Sequence, residues 1–273
     1  MRTHGSTLED DEVDATHHEL DRPHGLPTDI SHRRSRTSPS QGPARGRVPH
    51  VGRFGLDDGA AGHITVRDPE HPECFWVNHL GQNFAFVTPD DLILVNKAGD
   101  IVEGHGALNE AAFAIHSQLH QARPDVVSAV HSHSTYGKAW SAFGRLLQPL
   151  TQDACTFYDD HAVFEEYEGV VYSLEGGARI ANALGQRKAI ILLNHGLITV
   201  GHSVDEATYW FVSMERSCQV QMLAASTRDE PRCIDHETAA LTASQVGTHW
   251  VGWLGFQVLW QEMIAGDPDI ARW

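Results

Sequence analysis

The sequence predicts a layered α/β fold, and three observations carry that expectation. Short runs rich in β-branched and aromatic residues, at 63–67, 75–77, 84–88 and 92–95, follow one another with brief turns between them. Stripes of apolar residues at helical spacing come later, at 108–119 and 207–218. An unbroken apolar run, Ala189-Ile190-Ile191-Leu192-Leu193, reads as a strand covered on both faces.

Each element has a local reason. Gly81-Gln82-Asn83, Pro89-Asp90 and Ala98-Gly99-Asp100 supply turns between and after the early strands, and such short connections favour antiparallel pairing. In the first helix Leu108, Ala112, Ile115 and Leu119 form one stripe, with Asn109 as N-cap and Pro124 as the stop. A short strand through Val126 to Val130 follows, then a helix carrying Tyr136, Trp140 and Phe143, limited by Gly144 and Pro149. Residues 151–172 read as irregular and polar. A short helix through Ile180 and Leu184 ends at Gly185, and Gly176-Gly177 marks its start rather than a phosphate loop. Ser203 and Glu206 match a capping box and open a long helix through Ala207, Phe211, Met214 and Cys218. Trp250, Trp253, Phe256 and Trp260 recur at near-helical spacing, as core or subunit packing rather than a cofactor box.

Composition bounds the function. A chain of 273 residues is long enough for one large domain, here 48–273 with a C-terminal helical extension, preceded by a disordered tail over 1–47. The tail's histidines at 4, 17, 18, 24 and 32 lack ligand spacing, and its basic run at Arg33, Arg34 and Arg36 reads as a solvated linker. A net charge of −16 argues against nucleic acid as partner. No apolar run reaches the roughly 18 residues of a membrane span, and no signal-peptide core precedes the domain. Cys74, Cys155, Cys218 and Cys233 are too scattered for a disulfide framework or a thiolate zinc site. The expected setting is the cytoplasm.

Three histidines carry the expected chemistry. His131 and His133 lie two apart at a strand end, so their side chains share one face. His195 stands where a buried strand meets Gly196. Three imidazoles converging at strand ends would hold a divalent ion and leave coordination positions open for substrate or oxygen.

The blocks Arg123-Pro124-Asp125 through Ala129-Val130-His131-Ser132-His133, and then Leu193-Asn194-His195-Gly196-Leu197-Ile198, resemble the two metal-binding blocks of the class II aldolase/adducin family. The likeness covers roughly residues 55 to 225. It implies a three-layer α/β/α fold with a mostly antiparallel central sheet and homotetramers with sites near subunit boundaries. It also implies metal-assisted cleavage of a C–C bond, with His131, His133 and His195 as the metal ligands. Two departures matter. The Ser-Ser-Glu of the family's sugar-phosphate aldolases falls on Glu110, Ala111 and Ala112, and their phosphate-holding glycine-asparagine falls on Gly62-His63. A phosphorylated sugar is therefore not the expected substrate. Glu110 lies two residues from the lost carboxylate, about 200° away around a helix.

This variant of the family is similar to the iron oxygenases of aminocoumarin antibiotic biosynthesis, which convert a prenylated 4-hydroxyphenylpyruvate through a mandelate to a prenylated 4-hydroxybenzoate. That likeness implies Fe(2+), O2 and a small carboxylic acid as substrate. The alternatives are a Zn(2+)- or Mn(2+)-dependent aldolase or non-oxidative decarboxylase of a non-phosphorylated acid, and an adducin-like binding module without catalysis. Retention of all three histidines weighs against the module. Glu110, Tyr158 and His161 are the candidates for acid/base work, and the acidic residues of 153–166 for a fourth ligand. His116 and His120 lie four apart, but without zinc-protease flanks they read as satisfied or solvated histidines.

Overall fold

The computed structural model describes residues 55–56 and 62–268. The chain divides into Met1–Ser38 and Pro39–Trp273, and every described residue belongs to the second unit. The expected tail over 1–47 lies outside the described residues. In chain order the elements are β1 (Gly62–Arg67), β2 (Phe75–Asn78), β3 (Leu92–Val95), β4 (Ile101–Glu103), α1 (Glu110–Ala122), β5 (Ser128–Ser132) and α2 (Thr135–Ser141). Then come β6 (His161–Phe164), α3 (Leu174–Leu184), β7 (Ala189–Leu192), β8 (Gly196–Gly201), α4 (Val204–Ala225), α5 (His236–Val246) and α6 (His249–Gly266).

The strands form one sheet in the order β4-β3-β2-β1-β5-β8-β7-β6. Every neighbouring pair is antiparallel except β6 and β7, which run parallel because α3 carries the chain back between them. The sheet is thus mixed in detail and mostly antiparallel. Alternation along β7 shows the layering: Ala189 and Ile191 pack with Trp210, Phe211 and Met214 of α4, whereas Ile190 and Leu192 pack with Ile115 and Leu119 of α1 and Ile180 of α3. Both faces of β7 are buried, as its unbroken apolar run requires.

Local chemistry sets the ends of the helices. Asn109 accepts from the backbone of Ala111 and Ala112, and Ser203 accepts from that of Glu206. The Glu206 carboxylate reaches the backbone N–H of His202, one residue before the cap. Gly177 permits the close crossing of α3 over α1, where any Cβ would collide with the Ala114 carbonyl. Arg123 of the Arg-Pro-Asp block pairs with Asp125 and donates to the carbonyls of Gly185 and Arg187, tying the end of α1 to the turn before β7.

Three expectations are corrected. Residues 84–88 form no strand: Phe86 N–H and Val87 N–H bond back to Asn83 and Phe84, closing a 3-10 turn that sends Phe84 and Val87 separately into the core. The stretch 151–172 is not irregular throughout, because 161–164 forms β6, whose parallel partner supplies the ladder its polar flanks concealed. Phe143 lies beyond the end of α2 and is half exposed. Of the C-terminal aromatic stripe, Phe256 is core, while Trp250 and Trp253 stay exposed. Among the described residues no helix is long and apolar enough to cross a membrane.

Candidate metal centre

His131, His133 and His195 come together from two stretches of the chain. His131 is the fourth residue of β5, His133 follows the strand by one residue, and His195 tips the tight turn between β7 and β8. Asn194 holds that turn with φ 56, a left-handed conformation that asparagine tolerates better than most residues. Its neighbour Gly196 lets the turn close on β5, since a Cβ there would sit 3.0 Å from the Ser132 carbonyl oxygen. The loop after His133 is pinned by the buried Glu215 of α4, which accepts from Ser134 Oγ, Tyr136 N and Gly137 N at 2.6, 2.8 and 2.6 Å.

The three rings lie 4.8 to 5.2 Å apart between centroids, and one ligand atom from each falls within 4.8 Å of the others. His131 donates Nδ1–H to the Leu197 carbonyl at 2.8 Å, which leaves the Nε2 lone pair for a metal. Burial holds His131 well below the usual histidine range, reinforced by the neighbouring His63, His195 and His133. Burial and then His133 lower His195 to about 4. Neutral imidazoles are the form that ligates, so the donor set fits a divalent ion of the borderline kind.

The other candidates sit elsewhere. Glu110 is the exposed first residue of α1, while Ala112, at the lost carboxylate position, is buried. Tyr158 Oη bonds the ring of His236 at 2.8 Å. His161 spends both ring nitrogens on structure, donating to the Phe157 carbonyl and accepting from Leu147 N–H at 2.9 Å. His116 and His120 are buried and hydrogen-bonded, as their flanks led us to expect. A second grouping, His202, Glu206 and His249, also places ligand atoms close together, but at the surface.

In the sequence His63 stands out only as a departure from the family's phosphate block. It pairs in register with His131 across β1 and β5, and its ring stacks on His131 at 4.8 Å and 28°. The signal was the alternation of His63, Thr65 and Arg67 along one strand face, opposite two histidines four apart on a helix.

A profile described as the class II aldolase and adducin N-terminal domain matches residues 48–222. The chain belongs to the class II aldolase/adducin family. It is 48% identical over 224 residues to the decarboxylase NovR of Streptomyces niveus, covering 81% of this chain and 83% of that protein. It is likewise 48% identical to the 4-hydroxy-3-prenylphenylpyruvate oxygenase/4-hydroxy-3-prenylbenzoate synthase of Streptomyces roseochromogenus subsp. oscitans, over 81% of this chain and 80% of that one. Among solved structures, the L-fuculose 1-phosphate aldolase of Glaciozyma antarctica PI12 superposes with a TM-score of 0.75 at 41% identity, covering 83% of this chain and 88% of that chain.

Proposed function

We propose that this class II aldolase-like enzyme holds a divalent ion, Fe(2+) in the first instance, on His131, His133 and His195, and cleaves a C–C bond beside a carboxylate. The observation that carries the reading is the convergence of three imidazoles at strand ends, with burial lowering the pKa of His131 and His195. The two relatives at 48% identity support its direction, oxidative decarboxylation of a prenylated 4-hydroxyphenylpyruvate- or 4-hydroxymandelate-type acid. The chemistry balances in two stages: keto acid and O2 give mandelate and CO2, and mandelate and O2 give benzoate, CO2 and water. A metal bound there supplies Lewis acidity and, as iron, the electrons that engage O2.

The chain's own residues supply positioning. A cavity of about 100 Å³ adjoins His195, with Phe164, Val171, Ile180 and Leu192 as apolar walls. These walls suit an apolar substituent. Arg179, also in its lining, pairs with the exposed carboxylates of Glu166 at 2.8 Å and Glu168 at 2.7 Å. A cytoplasmic homotetramer belongs to the same proposal.

The likeness to L-fuculose 1-phosphate aldolase favours a second reading, zinc- or manganese-dependent lyase chemistry without O2. Metal analysis after anaerobic purification, with oxygen uptake on adding 4-hydroxyphenylpyruvate and iron(II), separates the two. Iron with substrate-dependent O2 consumption is the expected result. Bound zinc or manganese with no uptake would move the assignment to the lyase, and a protein that takes up no metal would overturn the site.

A further inference from the structure

The C-terminal helix α6 carries apolar residues on every side, whereas a helix at a protein surface ordinarily keeps one face polar. Its inner side is set by close packing on α4. A Cβ at Gly252 would collide with the Trp210 ring, and one at Gly255 with the Tyr209 ring. Phe256, Leu259 and Met263 are buried along with Gly252.

Trp250, Leu254 and Val258 recur every four residues and form a second stripe, turned away from the first. They are 58%, 38% and 62% exposed, and Trp253, 37% exposed, flanks them. From these fractions the four side chains leave on the order of 400 Å² uncovered, about half of the roughly 800 Å² that each partner of a stable interface buries.

Charge and composition narrow what covers the stripe. Glu262 is the only Asp, Glu, Lys or Arg in α6, in a chain of net charge −16. With no Lys or Arg the helix has nothing to attract an anionic lipid surface, and among the described residues no helix is long and apolar enough to cross a membrane. Residues 1–47 hold acidic and basic blocks without apolar periodicity, a composition unsuited to an apolar stripe. A second copy of the chain is suited to it. Two identical uncharged stripes can meet without bringing the like charges of two acidic surfaces together. The helix also lies beyond residue 222, where the match to the family profile ends.

We propose that α6 is a self-association surface, on which the stripe of Trp250, Leu254 and Val258 packs against the same stripe of a second copy about a two-fold axis crossing the helix near Leu254. Leu254 then faces its own counterpart, and each Trp250 lies toward the opposite Val258. The inference rests on the homo-oligomer proposed above, to which it assigns one interface, and is independent of which metal the triad holds.

Light scattering of the full-length protein during gel filtration tests it. The parent protein should run as an oligomer. Leu254→Glu, which sets two carboxylates against each other at the axis, should run at half the parent's mass. Its dissociation constant, from analytical ultracentrifugation, should rise about a hundredfold or more. Leu254→Lys should dissociate in the same way. Mixing the two variants in equal amounts should restore the parent's mass, a rescue that damage within one chain does not produce. Val258→Glu, at a more exposed position, should also halve the mass, and it decides the matter if the Leu254 variants do not fold. A monomeric parent protein would overturn the oligomer and this surface together. An oligomer whose mass survives Leu254→Glu and Val258→Glu would stand, but this surface would not, and the stripe would belong to another segment or partner.

Discussion

Two groupings of histidine lie at opposite degrees of commitment. At His202, Glu206 and His249 the buried carboxylate is already spent: Oε1 accepts from Trp210 Nε1 at 3.0 Å and His249 Nδ1 at 2.7 Å, and Oε2 accepts from His202 N at 2.9 Å. The two histidines are exposed and stack at 3.9 Å, an arrangement in which ring lone pairs run side by side rather than converge. At His131 only the nitrogen turned away from the triad is spent, on Leu197. In both places three side chains of ligand type bring their donor atoms within 4.8 Å of one another. What differs is whether the lone pairs are already used by the fold, and that separates a helix cap from a candidate metal centre.

The largest test of this contrast is His131→Ala, for which we expect loss of bound metal and of turnover, measured by elemental analysis and substrate assay. His249→Ala should leave the metal content unchanged. A metal-loaded, active His131→Ala protein would abolish the distinction.

Next in size is Glu215→Ala. It strands three donors around the start of α2, and a loss of about 3 kcal/mol in unfolding free energy is expected from chemical denaturation. An unchanged midpoint would mean that water replaces the carboxylate without cost.

Acid should act through the buried histidines. Burial lowers His120 from 6.5 to about 3, so below pH 6.5 the unfolded chain takes up a proton that the folded protein refuses. Stability is fully present above pH 6.5 and declines as pH falls toward about 3, with His120 alone costing about 2 kcal/mol at pH 5. Melting temperatures of the metal-free protein should drop accordingly between pH 7 and 5. A flat profile would show that these rings accept charge in the folded state.

The smallest effect is expected at the surface grouping. Glu206→Gln should cost about 1 kcal/mol, because one amide donor then faces the His202 N–H, and should not alter metal content. A loss of metal there would make this grouping a site after all.

Much of the fold was legible because its signals are local. The caps at Asn109 and Ser203, the stripe through Ala112, Ile115 and Leu119, and the doubly buried β7 each depend on neighbours within a few residues. Residues 84–88 misled because β-prone residues also suit a 3-10 turn when two of them find separate places in the core. β6 was hidden because a parallel ladder depends on a partner far along the chain. The candidate ligands were readable from two short blocks and a family likeness, but the stacking of His63 on His131 was not.

The sequence by itself determined the histidines, the periodicities that bury one side of each helix, and the acidic charge that argues against nucleic acid as a partner. Only the tertiary structure decided which ring nitrogens remain available. Arg67 meets His120 53 residues further on, and His116 meets His63 across the same separation. The direction of a hydrogen bond is set by partners in space, so it is not determined until β1 and α1 have packed face to face.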